Sequence, residues 1–456
     1  MRCAHRTRTS FLALSLLAAL SGCATVRGRP VDRTRQVARA LQGGRARSVI
    51  LLIGDGMSDT EITMARNYHV GAAGRLALDT LPLTGAYTTY AVQEDNPALP
   101  QYVVDSAASA TAWATGQKTS NHRLSTAAGT GRSLTTILEM AQAKGFATGN
   151  VTTAELTDAT PAALAAHVND RKCQGPADMG PCPGFAKSAR GPGSIAEQLV
   201  DHHVDVLLGG GRQRFDQVIT SGPYAGQTVL QSAIAQGYVL VTDAAGLRRL
   251  VPGQKVLGLF APAEMSSEWS GAPAQAFPGS GPQRCREQQR PVSEPSLAEM
   301  TRAALDLLEH SPSGGERGFF LQVEGASIDK HAHVADPCGQ IGETIAFDGA
   351  VRVALDYASA NPDTLLVVTG DHAHSAQIVP LPDATNHSPG VFSTLLTADG
   401  APMTISYATN VRGRFQEHTG AQVHIAASGP QAANVTGLTD QTDLFRTMAR
   451  ALGLED

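Results

Sequence analysis

A serine directly after an acid opens a run built almost wholly of small residues, Asp105-Ser106-Ala107-Ala108-Ser109-Ala110-Thr111-Ala112-Trp113-Ala114-Thr115-Gly116. Small side chains let a backbone and a ligand approach closely. A serine at a helix start also meets free N–H groups and a dipole that favour an anion. Elsewhere, acids and histidines follow short apolar runs. Asp55 comes after residues 49–54, Glu324 after 319–323, and Asp371 with His372 after 365–370. Asp158 and Thr160 lie soon after a strand predicted to end near Val151. One such acid reads as a turn residue. Four at strand ends read as a site, with a nucleophile facing metal ligands.

Catalytic zinc takes imidazole and carboxylate ligands and keeps a position open. In Asp329-Lys330-His331-Ala332-His333, helical geometry puts Asp329 and His333 on one face at i, i+4 and turns His331 away. The spacing therefore selects His333 and rejects His331. In Asp371-His372-Ala373-His374 the spacing leaves the choice open, and Glu417-His418 adds another acid–histidine pair before a strand. Thr160-Pro161 also reads as a helix cap followed by proline at the first helical position. Gly116-Gln117-Lys118-Thr119 is no nucleotide loop, because Gln117 stands where the motif needs glycine.

These groups need a scaffold, and the sequence predicts one of alternating strands and helices. Strands are expected at 48–53, 146–151, 204–208, 256–260, 319–323, 365–369 and 423–427. Helices are expected at 106–115, 134–144, 195–200, 297–309, 341–358 and 442–452. Ser194 with Glu197 and Ser296 with Glu299 form capping boxes that mark two helix starts. The alternating order predicts an α/β fold: a large, mainly parallel central sheet with helices on both faces. Ligands of such sheets bind beyond the carboxyl ends of the strands, where the acids lie. Residues 261–295, rich in Pro, Gly and Gln, are expected to be a surface excursion around Cys285.

Composition narrows the class. With 42% hydrophobic and 17% charged residues in 456, the chain has ample core for one large domain. The net charge of -5 and the absence of a Lys/Arg block argue against nucleic acid as a dedicated partner. Arg2, Arg6 and Arg8 precede an apolar stretch at 11–20 that is too short to span a bilayer, as in a signal peptide. Leu20-Ser21-Gly22-Cys23 resembles the bacterial lipoprotein cleavage box. The expected division is a signal peptide at 1–22, lipidation at Cys23, a tether at 23–47 and a catalytic domain at 48–456. Export also fits the cysteines. Cys173, Cys182, Cys285 and Cys338 permit three pairings and lack the C-x-x-C spacing of a zinc thiolate site. A local Cys173–Cys182 loop bent by Pro176 and Pro181 leaves Cys285–Cys338 as a long-range staple.

Taken in order, several motifs resemble the bacterial alkaline phosphatases. They are Asp55-Gly56-Met57, the run from Asp105 to Ala112, Asp158-Ala159-Thr160-Pro161, and Val323-Glu324-Gly325-Ala326-Ser327-Ile328-Asp329-Lys330. Asp371-His372-Ala373-His374, Gln416-Glu417-His418-Thr419-Gly420 and Gly437-Leu438-Thr439-Asp440-Gln441-Thr442-Asp443 complete the set. The resemblance implies a metal-dependent phosphomonoesterase in which Ser106 becomes phosphoserine, with two Zn2+ and one Mg2+ per subunit. It assigns Asp329, His333 and His418 to one zinc, and Asp55, Asp371 and His372 to the second. Asp158, Thr160 and Glu324 go to magnesium, with Asp55 bridging to it. Arg171 is the phosphate clamp, and Lys330 reaches the phosphate through water. The resemblance also implies the same disulfide pattern and a homodimer, and Asp105 is expected to orient Arg171 or the helix start. Within the superfamily the rival reading is a phosphodiesterase. Those relatives commonly use threonine and lack the arginine, so Ser106 with Arg171 argues against it. A phosphate- or metal-binding lipoprotein without turnover is the rival from another class.

Overall fold

The computed structural model of the protein describes residues 32–385, 387–410 and 415–455. The expected signal peptide and Cys23 lie outside them. At its centre is the strand Ser48–Gly54, buried along its whole length. Its alternate residues serve two cores: Val49, Leu51 and Ile53 face one, and Ile50 and Leu52 face the other. A continuous apolar run is what a strand covered on both faces requires.

Ten strands form the main sheet. From one edge the order is Gly437–Asp440, Leu83–Thr88, Val423–Ser428, Thr364–Gly370 and Ser48–Gly54. It continues through Phe319–Gly325, Ala147–Glu155, Val206–Gly210, Lys255–Leu259 and Tyr238–Val241. Only Val423–Ser428 runs against its neighbours. The mainly parallel sheet expected from the sequence is present, and all seven predicted strands lie in it.

Helices cover both faces. Ser106–Thr115 and Gln441–Leu452 contribute Ala107, Ala110, Trp113, Leu444 and Met448 to one core. Leu297–Glu309 and Pro337–Ala360 contribute Met300, Ala304, Phe347 and Val351 to the other. Both predicted capping boxes form at Ser194 and Ser296.

The strand register brings the site together. Gly54 pairs with both Gly325 and Gly370, so three neighbouring strands end level. From Ser48–Gly54 the chain first visits Leu83–Thr88 on one side, then crosses to Ala147–Glu155 on the other. That reversal opens a crevice at the carboxyl ends of the central strands.

Several elements differ from expectation. The helix expected from 341 begins at Pro337, because Asp336 caps it by accepting from the N–H groups of Cys338 and Gly339. The segment expected as a tether contains a helix, Thr34–Ala40, and Ala46 N–H donates to Ala451. The expected excursion at 261–295 carries short strands. One of them, Ser280–Gln283, edges a separate four-stranded sheet with Val391–Leu396, Pro402–Tyr407 and Ala376–Val379. Disulfides join Cys173 to Cys182 and Cys285 to Cys338. The second ties this excursion to the long helix. No helix among the described residues is long and apolar enough to cross a membrane.

Candidate active site and metal centre

Ser106 is the first residue of its helix, and the Asp105 carboxylate caps that helix by accepting from Ala108 N–H at 2.9 Å. The helix is buried throughout and made of small residues, which lets it sit close over the strand ends. It places Ser106 Oγ 3.3 Å from His372 Nε2 and 3.5 Å from Asp55 Oδ1. The same His372 nitrogen lies 3.2 Å from Asp371 Oδ2. His372 Nδ1 is buried without a hydrogen-bond partner among the described residues. No third group therefore orients this imidazole toward the serine, which separates the arrangement from a serine–histidine–acid relay.

Asp55 and Asp371 end adjacent strands, and Asp371 Oδ1 accepts from Gly56 N–H at 2.8 Å. Gly56 has φ +67°, and a Cβ there would stand 3.0 Å from the Asp329 backbone. The turn thus requires glycine for both its conformation and its closeness to Asp329.

A second cluster surrounds Asp329. Its carboxylate lies 3.2 Å from His333 Nε2, 3.3 Å from His418 Nε2 and 3.5 Å from His374 Nε2. His333 Nδ1 faces the Gln416 carbonyl, and His418 Nδ1 faces the Val104 carbonyl. With Nδ1 engaged by a carbonyl, each ring turns Nε2 inward, where it donates to Asp329 when protonated. Burial opposes that charge, but Asp329 favours it, raising His418 to about 9. Once the proton is lost, Nε2 can bind a cation. Two such nitrogens stand 3.2 Å apart beside a carboxylate, an arrangement that suits a shared cation.

His374 is different. Its Nδ1 accepts from Ser375 N–H at 2.8 Å, so in the neutral ring Nε2 carries the proton, 3.3 Å from His333 Nδ1 and 3.5 Å from Asp329 Oδ1. Burial pushes its pKa down to about 3, which keeps the ring neutral. His374 thus sets a buried N–H beside His333 and Asp329. His331, on the opposite side of the turn, meets Asp336 at 3.0 Å and Ser267 at 2.9 Å instead.

Oxygen donors make up the third group. Thr160 Oγ1 is buried beside Glu324 with no well-formed hydrogen bond among the described residues, and Glu324 accepts from Thr152. Asp158, not Thr160, caps the short helix Ala159–Ala162. Both oxygens of Asp158 face cations: Oδ1 lies 2.7 Å from Arg171 and Oδ2 lies 2.9 Å from Lys330. Burial opposes its charge, yet Lys330 and Arg171 hold Asp158 far below the usual carboxylate range.

The remaining acids lack that compensation. Burial, then the neighbouring carboxylates led by Asp371, push Asp55 well up. Burial is also the main cause that raises Glu324 to about 8 and Asp371 to about 6. Around Asp329 the outcome reverses. Burial opposes the charge, but His333 and His418 hold this carboxylate well below its ordinary range. The buried acids, the inward-facing imidazole nitrogens and the unpartnered threonine oxygen all suit divalent cations.

Arg171 closes the other side of the site. Its second guanidinium nitrogen lies 3.5 Å from Asp105 Oδ2, so Asp105 both caps the serine helix and steers the arginine. Arg171 N–H donates to the His122 carbonyl at 2.8 Å, and the Cys173–Cys182 disulfide follows directly. Ser106, Arg171, Lys330, His333 and His418 line one open cavity of about 880 Å3. The sequence left His374 as an open alternative to His372 and gave Gln441 no role. Gln441 donates to Ser109 Oγ and to the Asp371 carbonyl, both at 2.7 Å. The glutamine begins the C-terminal helix, and no local pattern distinguishes it from a solvated residue at such a position.

The profile of the alkaline phosphatase family matches residues 46–414 and 403–454 of the chain. Streptomycin-6-phosphate phosphatase of Streptomyces griseus is 56% identical over 414 residues, covering 90% of this chain and 91% of the relative. Alkaline phosphatase of Escherichia coli K12 is 52% identical over 433 residues, covering 93% and 90%. Among solved structures, alkaline phosphatase from the Antarctic bacterium TAB5 superposes with a TM-score of 0.67 at 22% identity. The match covers 91% of this chain and all of that one.

Proposed function

This chain belongs to the alkaline phosphatase family and is a metal-dependent phosphomonoesterase; from that premise we propose that it acts through a covalent phosphoserine at Ser106. The observation that carries the reading is the placement of Ser106. Its oxygen stands at the positive end of a buried ten-residue helix, beside the metal-type donors and across the cavity from Arg171.

Asp329, His333 and His418 would hold one zinc, and Asp55, Asp371 and His372 the second. Thr160, Glu324 and Asp55 would hold magnesium directly. Asp158, with both oxygens turned to Arg171 and Lys330, would serve that ion through water. When bound, the two zinc ions would favour the ionised serine and stabilise charge on the attacking and leaving oxygens.

The chain's own groups then do the rest. Arg171 presents a planar fork that holds two non-bridging oxygens of the phosphate dianion, and Asp105 and Asp158 fix its plane. Ser106 Oγ forms the new bond to phosphorus while the ester bond to the alcohol breaks in line with it. The alcohol leaves as its alkoxide and takes up a proton. Water next cleaves the serine–phosphate bond, which releases inorganic phosphate and restores Ser106. Lys330, held by Asp158, adds positive charge at the cavity edge. The arginine fork and the serine favour monoesters over diesters, because a diester offers one charged oxygen fewer.

We further propose export, a lipid anchor at Cys23 and a homodimer; the cleavage-box pattern and the paired cysteines support export. The test is turnover of a chromogenic monoester and diester by wild type, by Ser106→Ala and by chelated enzyme. Monoester preference, with loss in the mutant and in chelator, is expected. Full activity in Ser106→Ala would overturn the phosphoserine.

A further inference from the structure

Away from the active site, three potential metal ligands from three different elements converge on one point. Glu139 lies in the first turn of the helix Ile137–Ala143, His167 on the loop that leads to Arg171, and His202 at the end of the helix Ile195–Asp201. His167 Nε2 is 3.1 Å from Glu139 Oε1, and His202 Nδ1 is 3.6 Å from the same oxygen. One donor atom from each of the three residues lies within 4.8 Å of the others. Bonds of about 2.0–2.1 Å in a tetrahedral zinc site put neighbouring donors roughly 3.3 Å apart, close to the two separations seen.

The surroundings prepare these donors. The Ser125 carbonyl lies 2.9 Å from His167 Nδ1, which directs the proton there and leaves Nε2 facing Glu139. The other Glu139 oxygen accepts from Thr136 N–H at 2.7 Å in a capping box, so the carboxylate is fixed and Oε1 is turned to the histidines. His167 is buried, whereas the His202 side chain is 26% exposed, which gives an ion and a water ligand a way in.

We propose that Glu139, His167 and His202 form an additional divalent metal site, with zinc as the occupant best matched to two imidazoles and one carboxylate and with water as the fourth ligand. The site would be structural. It cross-braces the helices Ile137–Ala143 and Ile195–Asp201 against the loop that carries Arg171, and it lines no part of the active-site cavity. It stands independently of the phosphatase chemistry.

The test compares purified, metal-replete wild type with His202→Ala and Glu139→Gln. Glutamine keeps an oxygen for the Thr136 cap, so Glu139→Gln guards against a folding artefact of either change. After gel filtration in excess Zn2+, elemental analysis should find about one zinc fewer per chain in each variant, with monoester turnover retained. Zn2+ returned to chelated protein should raise the wild-type melting temperature by more than that of either variant, since both variants keep the two catalytic sites. Equal zinc content and equal zinc-dependent melting in all three proteins would overturn the site and leave the three residues as a plain histidine–glutamate ion pair.

Discussion

Around Asp329, three imidazoles meet one carboxylate, whereas at Thr160 and Glu324 every side-chain donor is oxygen. Both halves are buried beside the same strand ends, yet they handle charge in opposite ways. Imidazoles hold Asp329 ionised, and backbone carbonyls fix His333 and His418 in the orientation that faces it. The oxygen half has two cations nearby, but they face Asp158 and Asp105, and Glu324 is left at about 8 by burial and its acidic neighbours. The imidazole half is thus organised before any ion arrives, and the oxygen half depends on one. A borderline-soft ion suits the first and a hard ion the second.

The contrast breaks most visibly at Asp329. Asp329→Asn removes the anion that holds three histidines together, and with it several kcal/mol of transition-state stabilisation. Activity should fall on the order of 10³-fold, with zinc content reduced in parallel by elemental analysis. Zinc retained at the wild-type level would show that the cluster is not a ligand set.

His374→Ala tests the supporting shell. It removes a buried ring in contact with His333 and Asp329 and no proposed ligand, so zinc affinity should weaken by about 10- to 100-fold in a chelator competition. Activity in saturating zinc should largely return. A loss that zinc cannot rescue would make His374 a direct participant.

Thr160→Val probes the oxygen half at nearly constant volume. It should cost about fivefold in activity at limiting Mg2+, the worth of one neutral contact of roughly 1 kcal/mol, with zinc content unchanged. An equal loss of zinc would erase the distinction between the halves.

A buried acid with no metal-type neighbours supplies the smallest effect and the control. Glu61 sits in the capping box of the helix Asp59–Val70, where burial raises it to about 7. A carboxyl raised on folding adds stability that is fully present below its unfolded value near 4.5 and is lost as pH rises through 7. Glu61→Gln should flatten the fall in melting temperature across that window. An unchanged slope would show that Glu61 does not titrate there.

Legibility in the sequence followed how local each cause is. The central strand was readable because seven buried residues in a row leave few alternatives, and the Asp329–His333 pair because one helical turn places both on one face. The role of His374 was not readable. It depends on Ser375 N–H, which decides the tautomer, and no spacing rule carries that information. The ion pairs of Asp158 were likewise not readable, because only the fold brings Arg171 and Lys330 onto its two oxygens. In the four-stranded sheet the outer strands Ser280–Gln283 and Ala376–Val379 are four residues long, and Ser280 pairs with the distant Ser393, whereas the local hairpin Val391–Leu396 with Pro402–Tyr407 was overlooked. Two helix starts were available and overlooked: Asp336-Pro337, and Ser58 with Glu61.

The central claim is a phosphoryl group carried on Ser106. Enzyme mixed with a phosphate monoester at mildly acidic pH, where release is slowed, can be quenched in acid, digested and read by mass spectrometry. The account predicts a phosphoryl adduct on the peptide that contains Ser106, lost on return to alkaline buffer and absent from Ser106→Ala. Turnover with no adduct, or with an adduct on any other residue, would contradict it.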